Sequence, residues 1–276
     1  MLKTRVLTSM VLIAGFLTAV FLLPAIYWAF LMLVFISIAF WEWAGMAAFN
    51  KPWRIIYVVS IATLGIVVTL ADDMAMPVLQ PQVMFYSILL AVFFWLILTP
   101  AWLIARFEIR QPLMLALIGL VILFPTWLAL VSMRDISPWL LLMVMGAVWI
   151  ADSAAYFTGK RFGKRKLAPK ISPGKTWEGV FGAWLAVSIY GLILCISMSL
   201  TYWVIVGLLG ITVLSIMGDL LESLIKRQAG VKDSGTLLPG HGGILDRIDG
   251  LTSSLPLVMF FIYFPTYYLV LESFYA

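Results

Sequence analysis

The sequence predicts an all-α polytopic membrane protein with about nine transmembrane helices. Three observations carry that reading: composition, the spacing of long apolar stretches, and the alternation of charge between the loops that join them. Of 276 residues, 63% are apolar and 11% are charged, against about 45–50% and 25% in an ordinary soluble domain. The mean hydropathy of +1.07 points the same way. This composition excludes a soluble globular enzyme, a disordered chain and a disulfide scaffold. The one cysteine, Cys195, lies inside an apolar run and has no intrachain partner, so the cysteine patterns of structural zinc are absent as well.

Stretches long enough to cross a bilayer, roughly 20 residues each, fall at residues 6–23, 25–43, 55–71, 83–103, 113–131, 138–157, 177–199, 201–221 and 251–271. Pro24 divides what would be one very long run into two helices. The first stretch, preceded by Lys3 and Arg5, resembles a signal peptide. A second span follows directly with no small-x-small cleavage site, so an uncleaved anchor is expected. With the N-terminus inside, 17 of the 18 basic residues fall on the cytoplasmic side and only Arg134 lies outside. That separation obeys the positive-inside rule, and a miscounted span would scramble it. The expected topology is N-terminus cytoplasmic and C-terminus periplasmic.

The two halves differ in character. Residues 1–135 form five spans with short loops and no reactive cluster. Glu42, between Trp41 and Trp43, is the one unusual acid there and reads as an interfacial anchor. No internal repeat of the transporter kind is present. Residues 136–276 form the expected catalytic region, with polar side chains gathered in cytoplasmic loops 159–176 and 222–250.

Asp219 lies at the cytoplasmic end of the eighth span, with Glu222 and Ser223 on the same helical face. Asp246 and Asp249 are three apart at the start of the ninth, where capping by acids is also favourable. Asp152 ends the sixth. Ionised groups at a membrane boundary need partners or a cation, and converging carboxylates suit a hard ion such as Mg²⁺. Asp219, Asp246, Asp249 and Asp152 are therefore the candidate metal ligands. Lys226, Arg227, Lys232 and Arg247 alternate with acids and glycines, which suits phosphoryl chemistry better than a plain lipid-binding patch. Gly240, Gly242 and Gly243 surround His241, the only histidine, in a stretch able to bring backbone N–H groups up to an anion. The segment SPGKT, residues 172–176, fails as a Walker A loop: Pro169 stands where glycine is required, and no preceding strand is expected. Lys175 remains a candidate phosphate contact.

At these residues the chain resembles the bacterial phosphatidate cytidylyltransferases. Their signature is met by Ser223, Lys226-Arg227, Lys232-Asp233, Gly235, Pro239, His241-Gly242-Gly243 and Asp246-Arg247-x-Asp249. Asp152 with Ser153, and SPGKTWEG from Ser172 to Gly179, match upstream; for residues 1–135 the likeness is one of span number and length. The resemblance implies a nucleotidyltransferase of phospholipid biosynthesis in the bacterial inner membrane, converting CTP and phosphatidate to CDP-diacylglycerol and pyrophosphate with Mg²⁺. It implies a homodimer, CTP, inner-leaflet phosphatidate and membrane lipids as partners, and no nucleic acid. Asp219, Lys226, Arg227, Asp246 and Arg247 become the expected catalytic group. Ser172, Lys175, Thr176, Ser223, Lys232, Asp233, His241, Gly242 and Gly243 become the expected substrate contacts, and the acids leave room for a second cation.

The chemistry of the residues agrees. A phosphate monoester has its second ionisation near pH 6, so the lipid nucleophile needs no strong base. The obstacle is the meeting of two anionic phosphates, which a metal and clustered cations relieve. Three rival readings fit the sequence less well. A transporter or flippase would place charges near the bilayer midplane. A CDP-alcohol phosphotransferase motif breaks directly after Asp249-Gly250. A CTP-using polyisoprenoid kinase lacks support in the signature.

Overall fold

The computed structural model describes residues 13–71, 79–237 and 242–275. Its elements in chain order are α1 (Ile13–Leu22), α2 (Ala25–Met46), α3 (Lys51–Thr69), α4 (Leu79–Phe93), a π-helical turn (Phe94–Leu98), α5 (Thr99–Ala105), α6 (Pro112–Ile136), α7 (Pro138–Phe162), β1 (Lys166–Ala168), β2 (Ser172–Thr176), α8 (Trp177–Met198), α9 (Trp203–Gln228) and α10 (Leu245–Tyr275). Among the described residues, seven helices are long and apolar enough to cross a membrane, with Leu79–Ala105 counted as one. The expected first span, 6–23, lies partly outside the described residues.

Proline explains several boundaries. Pro24 ends α1 and precedes α2, and Pro52, Pro112 and Pro138 sit in the first turns of α3, α6 and α7, where no N–H is missed. Pro100 has no N–H to offer the carbonyl of Leu96. Just before it the ladder slips, and Thr99 donates to Phe94, five residues back, giving the π-turn inside the expected fourth span.

α6 is the most buried of the seven long helices. It is sewn to α2 by indoles rather than by apolar contact alone. Trp28 Nε1 donates to Leu130 O and Trp127 Nε1 to Ala29 O, each at 3.2 Å, while Trp43 Nε1 reaches Leu115 O at 2.7 Å. Such bonds matter in an apolar medium, where helix association gains little from hydrophobic burial. α9 and α10 are joined in a similar way: Ser253 Oγ donates to Leu214 O at 2.7 Å and Ser254 Oγ to Ile211 O at 3.4 Å. Their close approach depends on Gly218, where a Cβ would collide with the backbone carbonyl of Asp249.

Side-chain contacts separate two ends of the bundle. At one end Glu42 meets Leu245, Gln228 meets Phe107 and Lys175 meets Asp219. At the other, Arg134 donates to the carbonyls of Val20 and Leu23 and pairs with Asp135 at 3.4 Å. The single basic residue expected outside thus serves as a cap for the C-terminus of α1.

Two expectations need correction. The segment before α8 is not plain loop, because β1 and β2 pair antiparallel, Lys166 opposite Thr176 and Ala168 opposite Ser172. The strand judged absent near SPGKT is SPGKT itself, so the segment is an extended ribbon and not a phosphate-cradling turn. The second polar region is also mostly helical at its edges, since α9 continues to Gln228 and α10 begins at Leu245.

Replacing Gly218 with Val should destabilise the α9–α10 crossing by about 1–3 kcal/mol, the usual penalty of overpacking. A lowered thermal midpoint in detergent micelles checks this; an unchanged midpoint contradicts it.

Candidate active site

Because α9 continues unbroken, Asp219, Glu222, Ser223 and Lys226 occupy one face at i, i+3, i+4 and i+7. The start of α10 sets Asp246 and Asp249 facing them. α7 contributes Asp152, and β2 contributes Ser172, Lys175 and Thr176. Of these, Asp152, Ser172, Lys175, Thr176, Asp219, Asp246 and Asp249 line a cleft of about 700 Å³, with Lys160 and Lys166 also in its wall, while Glu222, Ser223 and Lys226 stand behind it. Acids and lysines therefore share one cavity at one end of an otherwise apolar bundle.

Each acid has defined partners. Asp219 accepts from Ser223 Oγ at 3.2 Å and pairs with Lys175 Nζ at 2.6 Å. Asp246 pairs with Lys226 Nζ at 2.7 Å through Oδ1, and its Oδ2 accepts from the amides of Gly243 at 2.8 Å and Ser234 at 3.0 Å. Lys226 also reaches Glu222 at 3.0 Å. Asp249 Oδ1 accepts from Gly250 N at 2.7 Å, and Asp152 Oδ1 from Ser215 Oγ at 3.5 Å.

Asp246 and Asp249 lie ahead of the apolar stretch of α10. Burial works against the ionised form of Asp246, but the bond from Lys226 and the two amides outweigh it and hold the carboxyl below the usual range. Asp249 goes the other way: burial, and then the charge of Asp219, push it up to about 7.

The expected substrate residues are unevenly placed. Ser172, Lys175 and Thr176 line the cleft, although Thr176 Oγ1 also caps α8 by accepting from Gly179 N at 3.2 Å. Ser223 stands beside the cleft through Asp219. Arg227, Lys232, Asp233 and Arg247 are exposed at the same end. Gly242 has φ +79°, which favours glycine, and Gly243 spends its N–H on Asp246. His241 and Pro239 lie outside the described residues.

Sequence reading missed three acids. Glu42 is not an interfacial anchor: it is 5% exposed and accepts from Ser234 Oγ at 2.9 Å, Ile244 N at 3.0 Å and Leu245 N at 2.9 Å. The rule that an acid inside a membrane segment is functional by default would have singled it out. Glu222 was placed on the correct face but given no role; it is buried against Lys226. Glu178 accepts from the amides of Lys164 and Arg165 at 3.1–3.2 Å and so ties the hairpin to the start of α8.

Comparison with known proteins decides the class of chemistry. The profile of the Cytidylyltransferase family matches residues 3–265. The chain belongs to that family. It is an enzyme, a nucleotidyltransferase. It is 39% identical to the phosphatidate cytidylyltransferase of Pseudomonas aeruginosa over 93% of this chain and 95% of that protein. The phosphatidate cytidylyltransferase of Haemophilus influenzae is 36% identical over 96% of this chain and 99% of its own length. That of Bacillus subtilis is 45% identical over 41% of this chain and 43% of that protein. The family match extends through the N-terminal helices, where sequence reading found no motif.

Among the described residues, no three His, Cys, Asp or Glu side chains are placed to hold a metal ion by themselves. The donor chemistry of the cleft nevertheless fits a hard divalent ion that takes few carboxylates and completes its shell with phosphates and water. Burial first and the charge of Asp219 second oppose the ionised form of Asp249, and a cation beside it would favour that form.

The buried triad of Glu222, Lys226 and Asp246 has side chains 4%, 12% and 9% exposed. Lys226→Met removes the cation from Glu222 and leaves Asp246 with its two amides alone, and should lower stability by about 3–5 kcal/mol, read as a lower denaturation midpoint. Adding Glu222→Gln should recover part of the loss. No recovery would mean that Lys226 acts outside this triad.

Proposed function

We propose that the chain is a phosphatidate cytidylyltransferase, converting CTP and phosphatidate to CDP-diacylglycerol and pyrophosphate at the cytoplasmic face of a bacterial inner membrane. The observation that carries this reading is the cleft itself, with acids and lysines facing each other at one end of an apolar bundle. Relatives of that name, similar over nearly the whole chain, support it.

A phosphate oxygen of phosphatidate attacks the α-phosphorus of CTP; the new P–O bond forms as the bond to the β-phosphate bridge breaks, and pyrophosphate leaves with that electron pair. Since the attacking group is already largely dianionic at neutral pH, the residues need only orient and neutralise. Lys175, on the β2 ribbon, stands where it can exchange Asp219 for a phosphate. Lys160 and Lys166 line the same wall, and Arg227, Lys232 and Arg247 add positive charge at the same end. Lys226 is held by Glu222 and Asp246, so its role is to fix the acids as well as to bring charge. Asp219, Asp249 and Asp152, with Asp246 beside them, would hold Mg²⁺, which when bound supplies charge neutralisation at the phosphates. A second cation, a homodimer and the nine-span topology with a cytoplasmic N-terminus complete this reading.

Purified protein in micelles, given phosphatidate and α-labelled CTP, should move label into the lipid phase only when Mg²⁺ is present. Asp219→Asn should lower kcat by about 10²-fold or more, the scale on which electrostatic groups act. Transfer that needs no divalent ion, or an unimpaired Asp219→Asn enzyme, would overturn the metal assignment; no transfer by folded protein would overturn the function.

A further inference from the structure

The geometry points to Glu42 as a positioning residue for the transfer, acting from α2 on the start of α10. This inference rests on the function proposed above. Glu42 lies about 200 residues from its partners in sequence, yet its carboxylate receives three donors: the hydroxyl of Ser234 and the amides of Ile244 and Leu245. The two amides belong to the N-terminus of α10. Glu42 therefore caps that helix from outside its own chain segment, where amides lack internal partners and the dipole favours an acid.

The loop glycines are shaped around this carboxylate. A Cβ on Gly235 would collide with Glu42 Oε1, and one on Gly243 with Glu42 Oε2 and Ser234 Oγ. The close approach to an anion that the glycine-rich segment foretells is thus made, in part, to an anion of the protein.

Glu42 is itself held rigidly. Trp43 Nε1 donates to Leu115 O at 2.7 Å, and Arg54 donates to Trp41 O at 2.7 Å while lying 4.2 Å over the Trp41 ring. The residues on both sides of Glu42 are therefore pinned to α6 and α3. From Glu42 the contacts continue inward: Ser234 gives its hydroxyl to Glu42 and its amide to Asp246, and Asp246 pairs with Lys226 and faces the cleft. Glu42 is not among the residues that line the cleft. It sets the register of the loop, and through it the orientation of Asp246.

An amide at position 42 keeps the shape but turns one acceptor into a donor facing N–H groups. Glu42→Gln should lower kcat for labelled-CTP transfer by about 10–100-fold, the range seen when groups behind a ligand are changed. KM for CTP should shift by less than about threefold, since contacts to the nucleotide are left in place. Glu42→Asp, which keeps two acceptor oxygens, should recover more activity than Gln. Hydrogen exchange of peptides spanning 232–247 should quicken in Glu42→Gln while peptides of α6 and α8 stay protected. Ser234→Ala, which removes one bond and leaves the fold intact, should give a smaller loss in the same direction. Wild-type kcat in Glu42→Gln, equal losses in Gln and Asp that follow the folded fraction alone, or unchanged exchange at 232–247 would each overturn the proposal. Absence of transfer by wild-type protein would overturn the proposed function instead, and the exchange measurement would still decide whether Glu42 holds the loop.

Discussion

Charge at the end of an apolar bundle is the constraint around which the rest is arranged. A carboxylate withdrawn from water must be given donors or cations, and the acids at the site illustrate several ways of doing so. Glu42 takes a hydroxyl and two helix-end amides, Asp246 takes two amides and a lysine, and Asp219 takes a serine and a lysine. Asp249 receives the amide of Gly250 beside it while burial and Asp219 oppose its charge. The acids differ accordingly in purpose. Glu42, outside the cleft, holds the architecture, and the acids that line the cleft are those proposed to hold a cation.

This division gives the N-terminal helices a function. α2 and α6, joined by reciprocal tryptophan bonds, form a stiff frame from which Glu42 reaches the segment before α10. α10 packs against α6 and α4 as well as α9, so the acids at its start are supported from both halves of the chain. The opposite end of the bundle is simpler, with Arg134 closing α1 by its carbonyls.

Most of the helical plan was legible because it follows from hydropathy and proline. Loop charges suggest two ends because consecutive long apolar helices that cross the bundle reverse the side. The acids of α9 and α10 were legible from helical spacing. What escaped was long-range. Glu42 looked like an interfacial residue because two tryptophans flank it, and nothing local reveals that its partners lie beyond residue 230. Likewise the glycines around His241 announced a nearby anion without naming it, and in the described part of that loop the anions are Glu42 and Asp246. The hairpin was missed because its strands are three and five residues long, too short for an alternating pattern, and because proline and glycine, as at Pro173 and Gly174, are depleted in strands. The π-turn was hidden inside a continuous apolar run.

The central claim is that the cleft between α7, β2, α9 and α10 receives the nucleotide. Photo-crosslinking of a 5-azido-substituted CTP in membranes, followed by peptide mapping, tests it most directly. Crosslinks should fall in peptides covering residues 152–180 and 215–250 and be competed by unmodified CTP. Competable crosslinks confined to the opposite end, around Asp135 and Thr69, would contradict the assignment of the cleft.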